Sequence, residues 1–221
     1  MNRFLQIGFM LTLPLLVAAV GKLEMQYRPA SVKIGSQEWS AENLDVTKFR
    51  NGESVMEANT AGAWEKACIE GKPAWCYYGQ DAVKAKGLGK LYNFWAVVDK
   101  RKLAPEGWHV PTDAEWQKLA DELGGSDLAG KTLKATKGWK NNGNGDNQAR
   151  FSALPGGYRS HEGPAYYGGP FFEAGAAGYW WSTTRYLVDN SYCRMLSFRN
   201  NRLEKKSFVM TSGLSVRLVK D

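Results

Sequence analysis

Few side chains in this sequence are of the types that do chemistry, and their spacing limits what they can do. The histidines are His109 and His161, and the cysteines are Cys68, Cys76 and Cys193. His109 follows Trp108 in GWHVP, a setting that suits a packed, hydrogen-bonded imidazole. His161 stands beside Glu162 in a glycine-rich stretch, but two potential metal ligands without a third make a weak site. No G-x-S-x-G places a serine on a strained nucleophile turn. Asp113 and Glu115 have a simpler use at a helix N-terminus, where carboxylates oppose the dipole. The segment KNNGNGDNQ offers oxygen ligands for calcium at Asn141, Asn144 and Asp146, with Asn142 and Asn147 beside them. Only Asp146 is charged, and the same composition builds an ion-free Asn-Gly loop.

The cysteine count is odd. Cys68 and Cys76 flank Gly71 and Pro73, which can turn the chain back, so a Cys68–Cys76 disulfide is the favoured pairing in an oxidising compartment; three free thiols is the alternative. Cys193 lies in a strand-like run as a small hydrophobe.

The compartment follows from the first 21 residues. Arg3 precedes an apolar run from Phe4 to Val20 that ends in small residues, the pattern of a secretory signal peptide cleaved after Ala19 or Gly21. Gln6, Gly8 and Pro14 interrupt the run, and it falls short of the ~20 residues that a retained spanning helix needs. Residues 22–221 then form one domain with no transmembrane segment, exported to the cell surface, the outer membrane, the periplasm or the medium. Its net charge falls only from +7 to +6, because Arg3 is the sole charged residue lost. The basic residues are dispersed and the compartment lacks nucleic acid, which excludes a nucleic-acid partner and leaves an envelope protein or polysaccharide.

Several elements must position these residues. Val32 and Ile34, the turn pair Gly35-Ser36 and Trp39 read as a hairpin. Residues 45–90 read as largely irregular, with one helical turn near Trp64. Leu91, Phe94, Trp95 and Val98 have helical spacing. Thr112 and Glu115 form a capping box for a second helix, whose stripe is Trp116, Leu119, Ala120 and Leu123 and whose stop is Gly124. Residues 137–178 read as a long loop rich in Gly, Asn, Pro and Tyr, followed by the strand patterns GYWWSTT, SYCRMLSF and GLSVRLVK. The expectation is an α+β fold with two helices whose first and last strands pair in one antiparallel sheet.

The strings IGSQEW, AENL, APEGWHVPTDAEW (Ala104 to Trp116), AGKTLK (Ala129 to Lys134), FSALPGGYR (Phe151 to Arg159), GYWWSTT and GLSVRLVKD resemble, in order, the FISUMP family. FISUMP is a bacterial major paralogous domain of exported proteins, similar to the C-type-lectin-like superfamily that includes the formylglycine-generating, sulfatase-modifying enzymes. The resemblance implies a C-type-lectin-like fold with a loop-rich ligand face and no established activity. Family members often carry cysteine where this chain has Leu218, and some where it has Ala104, so that bridge is missing. The formylglycine-generating relatives bind copper through a late cysteine pair. Only Cys193 lies late here, so that chemistry is not expected, and the reading is a non-catalytic binding module.

In ligand-diversified lectin-like relatives the C-terminal strands and loops carry the contacts. The corresponding residues are Trp181, Arg185, Tyr186, Tyr192, Arg194, Arg199, Asn201 and Arg202, aromatic and arginine types enriched in binding hot spots. Strand alternation sends about half of such a set into the core, and it forbids exposing both Trp180 and Trp181. The aromatic segment Gly163 to Phe172 is a second candidate surface. Two readings remain: a module that recognises a glycan or protein, and a structural subunit of an envelope complex.

Overall fold

A computed structural model describes residues 27–161 and 169–221. The leader, His161's neighbour Glu162 and most of the aromatic segment Gly163 to Phe172 lie outside the described residues.

The hairpin forms where the pattern places it. Strands β1 (Ser31–Ile34) and β2 (Gln37–Ser40) pair antiparallel around Gly35, whose φ of 56° is the left-handed value a tight hairpin turn requires. Strand β12 (Val219–Lys220) pairs antiparallel with β2 and with β6 (Trp108–His109), giving the sheet order β1-β2-β12-β6. The two ends of the described chain therefore meet in one sheet, and the fold is α+β.

The second sheet is the centre of the molecule. Its order is β11 (Glu204–Val209), β10 (Asn190–Ser197), β9 (Ala177–Arg185), β7 (Gly156–Arg159), β8 (Phe171–Ala174). Both faces of β9 and β10 are covered. Tyr179, Trp181 and Cys193 join one core cluster, with Phe94, Leu103, Val216 and Leu218. Trp180 and Leu196 join another, with Trp39, Trp116, Leu119 and Phe151. Strand alternation thus buries Trp180 and Trp181 on opposite sides, each without exposed surface.

Four helices occur among the described residues, two more than expected. Helix α3 (Asp113–Glu122) has the capping box as read: Thr112 Oγ1 accepts from Glu115 N, and Glu115 accepts from Thr112 N. Trp116, Leu119 and Ala120 are buried, and Gly124 follows with a φ of 88°. The other predicted helix is shorter. Leu91 and Tyr92 form strand β5, Asn93 caps the helix by accepting from Ala96 N, and α2 runs only from Phe94 to Val98. The additional helices are α1 (Ala61–Ile69), capped by Thr60, and α4 (Ala129–Leu133). Between 45 and 90, β3 (Met56–Glu57) and β4 (Ala74–Cys76) join β5 in a small sheet, so this region is less irregular than its glycines suggest.

The C-terminal segment is not the strand that GLSVRLVK predicts before Val219. Its backbone instead bonds to several segments: Gly213 with Arg159, Leu214 with Tyr92, Ser215 with Tyr179 and Trp181, and Val216 with Leu44. Both sides of the segment are buried, so its alternation separates two interiors. Arg217 is among the buried residues. It donates to Asn43 Oδ1, Ser40 O, Phe151 O and Ser152 O. The positions where relatives carry cysteine, Leu218 and Ala104, belong to the same apolar cluster, where packing takes the place of a bridge.

The expected Cys68–Cys76 disulfide is absent. All three cysteines are buried free thiols. The turn through Gly71 and Pro73 does form, and Cys68 and Cys76 share a small core with Trp64, Ala74 and Leu91, but Cys68 Sγ is directed at Thr211 O, 3.5 Å away. Burial pushes the Cys68 thiol up to about 12 and the Cys76 thiol up to about 11, so both stay protonated at neutral pH.

Candidate binding surface

Strands β9 and β10 join through an exposed tip. Tyr186 N and Leu187 N both donate to Asn190 O, and the register shifts between Ser191 and Cys193. Ser191 Oγ bonds Ser182 O and Thr184 O across that bulge, fixing the base from which the tip projects. Leu187 is 60% exposed and Val188 85%. Two neighbouring aliphatic side chains held in solvent on a bulged hairpin contribute nothing to a core.

The ring of Tyr186 packs on that of Tyr192 at 5.0 Å. Lys205 Nζ stands over the Tyr192 ring at 3.7 Å, and its ammonium pairs with Asp113 Oδ2 at 2.8 Å. The tip and its base thus carry two phenol rings in tilted contact, two exposed aliphatic side chains and a lysine, with Arg185 exposed beside them.

The predicted residues therefore divide. Arg185, Tyr186 and Tyr192 come together at the tip. Arg199 and Asn201 are exposed on the β10–β11 connection, as is Arg202, which pairs with Asp127. Trp181 and Arg194 are corrections. Trp181 is fully buried and donates from Nε1 to Tyr92 O. Arg194 is 1% exposed, with Nη2 at 2.6 Å and Nε at 3.0 Å from Asp113 Oδ1. Sequence reasoning missed Leu187, Val188 and Lys205. Two consecutive aliphatics before Asp189-Asn190 were the available sign, since a strand that should alternate ends there in a turn.

The candidate calcium ligands hold their own loop together. Asn144 Oδ1 accepts from Trp139 N, and Asp146 Oδ1 accepts from Gln148 N, so the loop's own backbone uses these oxygens. Asn141 adopts a φ of 51°, the left-handed conformation asparagine tolerates in such loops. Among the described residues no cluster of three His, Cys, Asp or Glu side chains is placed to hold a metal.

His109 has more structure around it than its sequence context implied. Nδ1 lies 2.6 Å from Asp221 Oδ1 and Nε2 lies 2.7 Å from Glu115 Oε1. Partial burial opposes the charged ring, but the two carboxylates outweigh it and raise the pKa of His109. His109 ties Asp221 to the capping box of α3. A cleft of about 510 Å³ opens beside it, floored by Val97, Leu103, Trp108 and Val110. Each ring nitrogen faces a carboxylate, so the protonated ring directs both of its N–H groups at these partners.

The family model of the Fibrobacter succinogenes major domain matches residues 32–220, from the first hairpin to the last strand. The chain belongs to that family. No curated protein and no solved structure matches it. The match takes in the β9–β10 tip and every element described here apart from Ser31 at the start of β1. No helix among the described residues is long and apolar enough to cross a membrane.

Proposed function

We propose that this protein is an exported, non-catalytic binding module that meets its partner at the cell envelope through the β9–β10 tip. The observation that carries this reading is the exposure of Leu187 and Val188 beside the Tyr186–Tyr192 pair. Aromatic rings flanked by a cation are the side chains that dominate contact energy in interfaces and that stack on sugar rings. The leader-like residues 1–21 support export. Pairing of the first hairpin with the last strand is consistent with the C-type-lectin-like placement that the family resemblance suggests, in which the C-terminal strands carry ligand contacts.

The aliphatic pair favours one alternative over a free glycan receptor. Leu187 and Val188 suit an apolar protein surface better than a carbohydrate, as expected of an accessory subunit in an outer-membrane or envelope complex. Affinity capture from native envelope with the mature chain, scoring protein and polysaccharide fractions separately, distinguishes the two. Stoichiometric recovery of an envelope protein identifies a fixed subunit. Recovery of polysaccharide, or of a partner lost on washing, identifies a recognition module. Capture of neither refutes the proposal.

A further inference from the structure

The fold buries several cations, and most of them are fully answered. Arg194 has the Asp113 carboxylate. Arg217 has the Asn43 side-chain oxygen and three backbone carbonyls. Lys134 donates to Ser197 O and Asn200 O, and Lys90 bonds Asp45.

Arg159, at the end of β7, is the exception. It is 0% exposed, it donates from Nη1 to Ala58 O at 3.4 Å, and its other hydrogen-bonding neighbour is the Cys76 thiol. Nε and Nη2 are buried and meet no acceptor among the described residues. The guanidinium lies over the Trp64 ring at 4.6 Å and the Phe171 ring at 5.1 Å. Those rings cover its faces, whereas the unanswered N–H groups point along its edge. Its polar neighbours cannot neutralise it, because Cys68 and Cys76 remain thiols.

Two further buried donors lack partners in the segment paired with Arg159, the hydroxyls of Thr211 and Ser212. Gly213 follows them and exchanges both backbone hydrogen bonds with Arg159, at 2.9 and 3.0 Å. Among the described residues the region thus has a surplus of donors and no carboxylate paired with Arg159. A buried charge left in that state is costly, and a buried water would satisfy an N–H without supplying the missing charge. Arg159 Nε, Arg159 Nη2 and the two hydroxyls are donors without an acceptor, and a single-atom anion accepts from any direction and adds no polar group that itself needs a partner.

We propose that the edge of Arg159 is a structural halide site, occupied by chloride in solution, which completes the small core of Trp64, Cys68 and Cys76. An ion that binds only the folded chain raises the melting temperature with the logarithm of its concentration. At constant ionic strength, replacing gluconate with chloride or bromide should raise the melting temperature of the full chain. The expected rise is about 3 to 5 °C per tenfold halide above the dissociation constant. The slope should vanish in Arg159→Met, and a bromide-soaked crystal should show an anomalous peak beside Nε and Nη2. A slope that persists in Arg159→Met overturns the site. So does equal melting in gluconate and halide, and a large loss in Glu162→Gln would then assign the counter-charge to the chain's own carboxylate. If Arg159→Met does not fold, the wild-type bromide peak decides: its presence supports the site and its absence refutes it.

Discussion

The carboxylate of Asp113 holds the buried guanidinium of Arg194 at 2.6 Å and the ammonium of Lys205 at 2.8 Å, so the first residue of α3 is clamped to two adjacent strands. Arg194 and Lys205 are direct register partners across β10 and β11. The same lysine reaches over Tyr192, which connects this clamp to the exposed tip.

Arg194 is therefore expected to act on stability before it acts on binding. Arg194→Ala leaves Asp113 partly buried without its main partner, and breaking such a pair costs about 3 to 5 kcal/mol. Urea unfolding of the variant checks this. A loss under about 1 kcal/mol, the range of exposed ion pairs, would return Arg194 to the surface.

Trp116 has no exposed surface and contacts three aromatic rings, Trp39 at 4.7 Å, Phe151 at 6.0 Å and Trp180 at 6.4 Å. Trp116→Ala should destabilise the protein by about 3 to 5 kcal/mol, as large core truncations do. Equilibrium denaturation followed by the remaining tryptophans measures it, and a wild-type midpoint would show that the second core is not built around this ring.

The link from His109 to Asp221 and Glu115 gives stability a pH dependence of known sign. The folded-state pKa of His109 is raised, so its contribution is complete below the unfolded value of about 6.5 and is lost as pH rises through the folded pKa. Burial raises the pKa of Glu115, but hydrogen bonds from Thr112 and from His109 outweigh that and lower it. Its contribution is present above about 4.3 and lost as pH falls through the folded pKa. Midpoints measured from pH 5.5 to 9 should fall for the wild type and stay flatter for His109→Gln. Parallel curves would mean that the bridge contributes nothing.

Much of this fold was legible because its signals are local. Thr112 and Glu115 sit three residues apart and close a capping box with no help from the rest of the chain. Gly35-Ser36 and the pairing of the chain ends were equally readable. Helix α1 was underestimated because Gly62, Glu65 and Lys66 hide a stripe made only of Trp64, Ala67 and Cys68. The candidate surface was legible in part. The family resemblance and residue type pointed to Tyr186 and Tyr192, which the structure brings into contact, but the burial of Arg194 depends on Asp113, 81 residues earlier in the chain. The burial of both Trp180 and Trp181 depends on cores covering both faces of β9, which alternation along one strand cannot reveal.

The tip is the central claim. Tyr186→Ala combined with Val188→Ser removes its most exposed ring and aliphatic side chain, and surface changes of this kind shift stability by about 0.5 kcal/mol or less. The most direct test compares affinity capture from native envelope by the wild-type mature chain and by this double variant, with both melting temperatures measured. The account predicts unchanged melting and loss of the captured partner. Equal capture by the two proteins would contradict it.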